Sequence, residues 1–228
     1  MFIMIDGIDG SGKSTVVNAW KQHFEKQGKK TIDLRDIWQS EKDHPTPEDL
    51  MQYDVIFSGE PTHVWFGRAI RQEMIKIGSD YSARDTADAY ALDRLVLYKR
   101  LLLPLLKAGK MVIQDRGVCT SLCYQPLQSD NLSMQDVSQI QGNAFALKHR
   151  PDYLILTDIP VDNALARLAA RTEKQDDSIF EKKEFLDKAH STFHSTEYQS
   201  YMTKHGTKVR TLNTNLDIDI MKENSINF

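Results

Sequence analysis

Short apolar runs, each too brief for a helix, recur along this chain: Phe2-Ile3-Met4-Ile5, Val55-Ile56-Phe57, Met111-Val112-Ile113, Tyr153-Leu154-Ile155-Leu156 and residues 209–212. Runs of this length, rich in β-branched and aromatic side chains, read as strands buried on both faces. Residues 30–34 supply one more. Between them the apolar positions take helical spacing, over residues 16–27, 64–77 and the long stretch 85–107, where Tyr90, Leu95, Tyr98, Leu102 and Leu105 recur. This alternation predicts an α/β fold, a mainly parallel sheet with helices on both faces. A length of 228 residues suits one domain over residues 1–228. Two polar stretches interrupt the pattern. Residues 39–53, with Pro45 and Pro47, read as an exposed insertion, and the charged residues 167–181 read as a short mobile lid between helices.

Parallel sheets bind ligands at the carboxyl ends of their strands, so the residues that follow each run carry the chemistry. After the first run comes Gly7-Ile8-Asp9-Gly10-Ser11-Gly12-Lys13-Ser14-Thr15, a complete G-x-x-x-x-G-K-[ST] phosphate loop set between a strand and a helix. Its backbone N–H groups are expected to cradle phosphate oxygens, with Lys13 on the β and γ phosphates and the Ser14 hydroxyl on Mg2+. The chain is thus expected to bind ATP or a similar triphosphate. Asp115 follows the Met111 run at the position where such proteins hold Mg2+ or its waters; a helix cap is the ordinary alternative. Asp158, just before Pro160, is expected to cap the next helix.

Phosphoryl transfer asks a protein chiefly for in-line positioning and neutralisation of charge. Arginines are therefore expected near the crevice. Arg68, Arg71, Arg94 and Arg116 are the candidates on the acceptor side, and Arg167, Arg171 and Lys174 on the donor side, each having a solvated surface charge as its alternative. Tyr90 presents a π-face for a base one helical turn from Arg94; core packing is its alternative.

Composition narrows the partners. A net charge of −3 and a pI near 6.2 give no global basic field, so neither a nucleic-acid polymer nor an anionic membrane is expected. No apolar stretch reaches spanning length, and Phe2 already opens the first strand, so no leader is expected and the location is expected to be cytoplasmic. Cys119 and Cys123 lack zinc-ligand companions and read as buried thiols.

Several segments together resemble the thymidylate kinase family. Asp6 to Thr15 is similar to its phosphate loop, Phe57-Ser58-Gly59-Glu60-Pro61 to F-T-R-E-P, and Tyr90 with Arg94 to F-x-A-x-R. Asp115-Arg116 through Ser121, Tyr124 and Gln125 resembles D-R-x-x-x-S-S-x-A-Y-Q, and residues 151–158 resemble the P-D-L-x-L-x-L-D strand. The resemblance implies a P-loop NTPase-type fold and ATP- and Mg2+-dependent phosphorylation of a deoxynucleoside monophosphate, dTMP, by a homodimer. It implies an acceptor site of Asp9, Glu60, Arg71, Tyr90, Arg94, Arg116, Ser121, Tyr124 and Gln125. Asp9 would meet the sugar, Tyr90 and Arg94 the base, and Arg116 the phosphate, while Tyr124 would disfavour a 2′-hydroxyl. ATP would lie on the loop with Arg167 and Arg171; Lys13, Asp115, Arg116 and Arg171 would be catalytic, and Ser14 and Asp115 would hold the metal.

Three departures stand out. Gly59 occupies the arginine position before Glu-Pro, and Arg71 or Arg68 is expected to replace that charge. Gly117 stands where tyrosine is common. Gly10 stands where some relatives carry arginine, which leaves the compensating cation to the lid. Two other readings stay open here. Glu60-Pro61 with Trp65 resembles the E-P-x-x-x-W of deoxynucleoside kinases, whose glutamate is a base, and a nucleotide-binding module without turnover would also carry the loop.

Overall fold

The computed structural model describes residues 1–170, 180 and 182–226. Six strands, β1 (Phe2–Asp6), β2 (Thr31–Asp33), β3 (Val55–Gly59), β4 (Met111–Asp115), β5 (Tyr153–Asp158) and β6 (Lys208–Asn213), form one sheet. Their order is β2-β3-β4-β1-β5-β6 and every pairing is parallel, the α/β arrangement of a P-loop NTPase. The connecting helices are α1 (Lys13–Lys26), α2 (Leu34–Glu41), α3 (Pro47–Leu50), α4 (Trp65–Ala69), α5 (Ala83–Leu97), α6 (Leu103–Lys107) and α7 (Val118–Tyr124). They continue with α8 (Met134–Gln139), α9 (Gln141–Lys148), α10 (Val161–Ala169), α11 (Lys183–His194), α12 (Thr196–Lys204) and α13 (Ile218–Ile226).

Successive strand residues face opposite sides of the sheet, and the core divides accordingly. Met4, Ile56, Val112, Leu154 and Leu156 join the larger cluster under α5 and α7. Ile5, Phe57, Ile113, Ile155 and Leu212 join a second cluster with Val16, Val17 and Trp20 of α1 and Met221 of α13. Trp20 also donates its indole N–H to the Ser225 carbonyl at 2.7 Å, which fastens α13 to α1.

Local chemistry sets the helix boundaries. The long helix begins at Ala83, two residues before the expected start, because Ser82 and Asp85 form a reciprocal capping box. It then runs on through a π-type turn at Tyr98–Leu102 into α6. A second π-type turn, Ile70–Met74, extends α4.

The stretch 39–53 is only partly the exposed insertion that its polarity predicts. Pro45 is buried, and His44 and Leu50 are 5% and 1% exposed. Trp38 Nε1 donates to His44 Nδ1 at 3.1 Å, and His44 packs edge-on against Trp65. Burial holds the His44 pKa down to about 4, so the ring is neutral and can accept that bond. Arg171 and Lys174 of the expected lid lie outside the described residues; Arg167 sits in the last turn of α10.

Candidate active site

The loop between β1 and α1 wraps the amino end of α1, where the helix dipole and unpaired N–H groups favour anions. Gly10 takes φ +78°, and a Cβ there would lie 2.4 Å from the Ala164 carbonyl oxygen. Both the backbone conformation and the close approach of α10 require glycine. Ser11 Oγ shares a 2.6 Å hydrogen bond with Thr157 Oγ1, whose hydroxyl donates to the Asp6 carbonyl, so the loop is tied to β5. Lys13 Nζ donates to the carbonyls of Gly7 and Ile8 at 3.0 and 2.8 Å. Burial, and then the neighbouring Arg116, bring its pKa down to about 8.

The loop opens onto a cleft of about 890 Å³ along the carboxyl ends of β1, β3 and β4. Gly10, Gly12, Lys13, Ser14, Thr15 and Arg167 line one end of it; Gly7, Ile8 and Ser11 lie behind them, outside the lining. Asp9, Glu60, Arg71, Tyr90, Arg94, Arg116, Ser121, Tyr124 and Gln125 line the rest. Arg68 is not part of the wall; it is exposed and donates to Gln72.

Arg116 is the hub of the end away from Arg167. Its Nη2 donates to Asp9 Oδ1 at 2.6 Å, its Nη1 lies 3.5 Å from Asp6 Oδ1, and its guanidinium sits 5.4 Å above the Tyr124 ring. The Tyr124 hydroxyl donates to Asp9 Oδ2 at 3.4 Å. Arg116 holds φ +65°, a strained conformation for a residue with a side chain and one concentrated at functional sites. Asp6 is fully buried and accepts from Gly7 N and Thr120 Oγ1 at 2.8 and 2.6 Å; burial raises its pKa. Asp6 was missed from the sequence, although a carboxylate that ends an apolar strand is a signal in itself.

Deeper in the cleft Arg94, 1% exposed, lies 2.7 Å from Glu60 Oε2 and donates to Ser121 Oγ at 3.0 Å and to Asn143 Oδ1. Gln114 Nε2 donates to Glu60 Oε1 at 2.8 Å. Burial, opposed by Arg94, pushes the Glu60 carboxyl up to about 7. Tyr90 stands half-buried on the wall, its phenol pushed up to about 12 by burial. Arg71 donates to the Pro61 and Thr62 carbonyls, bracing the turn after β3.

Asp115 Oδ2 lies 3.4 Å from Arg35 Nη1, whereas its Oδ1 is buried and has no hydrogen-bond partner among the described residues. An orphaned carboxylate oxygen at the end of β4 fits a metal ion or a metal-bound water. Asp158 differs from its expected role: α10 has no side-chain cap, and the Asp158 carboxylate turns instead to His190 and His194.

A family model described as thymidylate kinase matches residues 48–223. A probable thymidylate kinase of Pyrococcus abyssi is 36% identical over 75% of this chain and 70% of its own length. Another from Thermococcus onnurineus is 35% identical over 76% of this chain and 74% of its own. The chain belongs to the thymidylate kinase family. The family match begins beyond the phosphate loop, so that end of the cleft stands on its own motif and geometry. Two departures from the thymidylate kinase pattern now have physical reasons. An arginine at Gly10 would strike α10, and a Cβ at Gly117 would come within 2.5 Å of the buried Met4 side chain and 2.9 Å of Gln114 Nε2.

Proposed function

We propose that this protein transfers the γ-phosphoryl group of ATP to dTMP, giving ADP and dTDP. The observation that carries this reading is a single cleft with the phosphate loop at one end and the Asp9–Arg116–Tyr124 cluster at the other. Asp9 belongs to both, so the loop that grips the donor also orients the arginine that meets the acceptor phosphate. Arg116 supplies a planar fork for that phosphate, and Tyr124 closes the space beside the sugar. Ser14 and Asp115 would hold Mg2+, which supplies charge neutralisation on the phosphates when bound. Deoxynucleoside kinase activity is not favoured: Glu60 is held by Arg94 and Gln114, and a monophosphate acceptor is already ionised and needs no base. Assembly as a homodimer and a cytoplasmic location belong to the same proposal. Among the described residues no helix is long and apolar enough to cross a membrane.

The test is ADP release followed across the deoxynucleoside monophosphates with free thymidine alongside. Turnover of dTMP is expected; brisk thymidine turnover with none on dTMP would overturn the proposal.

Lys13 gives the reaction a pH signature. A lysine with a pKa near 8 is cationic below that pH and neutral above it. The kcat/KM for ATP is therefore expected to be level below about pH 8 and to fall roughly tenfold per pH unit above it. Lys13→Arg, slower but permanently charged, should lose this alkaline limb. Persistence of the limb in that variant assigns it to another group.

A further inference from the structure

Gly59 leaves the family's arginine position without a charge; Arg68 stands outside the cleft wall, and Arg71, on the wall, is turned to the Pro61 and Thr62 carbonyls. A third arginine approaches from the opposite direction. Arg35 enters from the first turn of α2, and a Cβ on Gly59 would lie 3.4 Å from Arg35 Cδ and 3.9 Å from its Cγ. The stem of Arg35 thus lies in the volume through which a side chain at position 59 would project. Gly59 does not have a positive φ, so its backbone would accept another residue. Its guanidinium is anchored by Asp33, with Nε and Nη2 donating to the carboxylate at 3.0 and 2.7 Å, and its Nη1 faces Asp115 at 3.4 Å on the cleft wall. Asp33 at the end of β2 stands beside Phe57 of β3, and this parallel register carries Arg35 past Gly59.

We propose that Arg35 replaces the missing arginine and binds the phosphate of the acceptor nucleotide, with Asp33 fixing its orientation. This rests on the dTMP reading above. β2 and α2, which also bury Leu34 and Trp38 in the core, then have a catalytic use: they bring beside β3 a cation that β3 lacks.

The test compares Arg35→Ala, Arg35→Lys and the exchange Arg35→Ala with Gly59→Arg in the full-length protein. Losing a hydrogen-bonded charge on phosphate is expected to raise the KM or Kd for dTMP about 10- to 100-fold, with the KM for ATP little changed. Arg35→Lys should recover part of that loss, and the exchange most of it, because it returns a guanidinium to the same volume from β3. Unchanged dTMP affinity in Arg35→Ala, or an exchanged protein that folds and binds dTMP no better than Arg35→Ala, would overturn the assignment. Failure of the unaltered protein to turn over dTMP would instead overturn the underlying reading.

A separate cluster supports a second inference. His190 and His194 stand one turn apart on α11, and their Nε2 atoms lie 2.8 and 3.3 Å from the same oxygen of Asp158. The three donor atoms all fall within 4.8 Å of one another. Ligands about 2.0–2.2 Å from a tetrahedral zinc ion stand roughly 3.3–3.6 Å apart, so the His194 pair already has that spacing and the His190 pair, now hydrogen-bonded, would open by about half an ångström; two histidines plus a carboxylate suit a borderline divalent cation. We infer that Asp158, His190 and His194 bind such a cation and link the end of β5 to α11. Zinc titrated into the full-length protein by calorimetry should show one more site than in His190→Ala/His194→Ala, with a Zn2+-dependent rise in Tm lost in that variant. Equal zinc binding by both proteins, or none by either, would overturn the inference.

Discussion

Arg116→Ala is expected to lower kcat/KM for dTMP by about 10²- to 10³-fold, the scale of removing one preorganised donor from a phosphoryl-transfer site, while changing the KM for ATP only slightly. The asymmetry follows from position. Arg116 follows β4 and points at Asp9 and Tyr124, whereas the donor phosphates are expected at Lys13 and the first turn of α1. Truncation also takes from Asp6 and Asp9 a closely paired cation, leaving Lys13 as a charged neighbour, so part of the loss reflects the Asp9 carboxylate facing the acceptor phosphate with less compensation. Arg116→Lys separates the two effects: it restores the charge but not the fork, and should recover kcat/KM only in part. Steady-state kinetics with each substrate varied in turn decide the matter. An equal loss of ATP affinity would remove Arg116 from the acceptor side.

Arg94→Ala is expected to be the most destabilising single change in the cleft, by about 3–5 kcal/mol. Arg94 and Glu60 are 1% and 5% exposed, and Ser121 and Asn143 also depend on the guanidinium. Removing it strands a carboxylate in the interior beside Gln114. For a chain of this size the loss corresponds to a fall in Tm of roughly 6–20 °C. Adding Glu60→Gln to Arg94→Ala should return part of that stability, because the stranded charge is gone. Denaturant unfolding of the two single variants and the double variant measures the coupling, and strictly additive effects would show that the pair does not act as a unit.

The sheet and the phosphate loop were readable from the chain because both are written locally. A buried parallel strand is a short apolar run, and a phosphate loop is a contiguous motif. Asp9, Arg116 and Tyr124 were named for one site from three separate stretches, and β1, β4 and α7 bring them together. The replacement for the arginine absent at Gly59 was sought in Arg68 and Arg71, downstream of Glu60. Arg35 carries no local mark, since its nearness to Gly59 arises from the pairing of β2 with β3. Polarity likewise disguised the segment before β3, whose few anchoring side chains, His44 and Leu50, are outnumbered by exposed neighbours. Asp158 was misread because a carboxylate before a proline resembles a cap, while its partners lie more than 30 residues away on another helix.

The central place of β1 also bears on how the chain is made. It precedes the other five strands along the chain, yet its neighbours are β4 and β5, and Phe2 N–H finds its acceptor in Asp152, 150 residues later. Contacts so distant in sequence slow folding and leave early segments unpaired. Met221 and Ile218 of α13 complete the wall beside the phosphate loop, so a loop that follows β1 becomes a finished binding site only when a helix beyond β6 has been added.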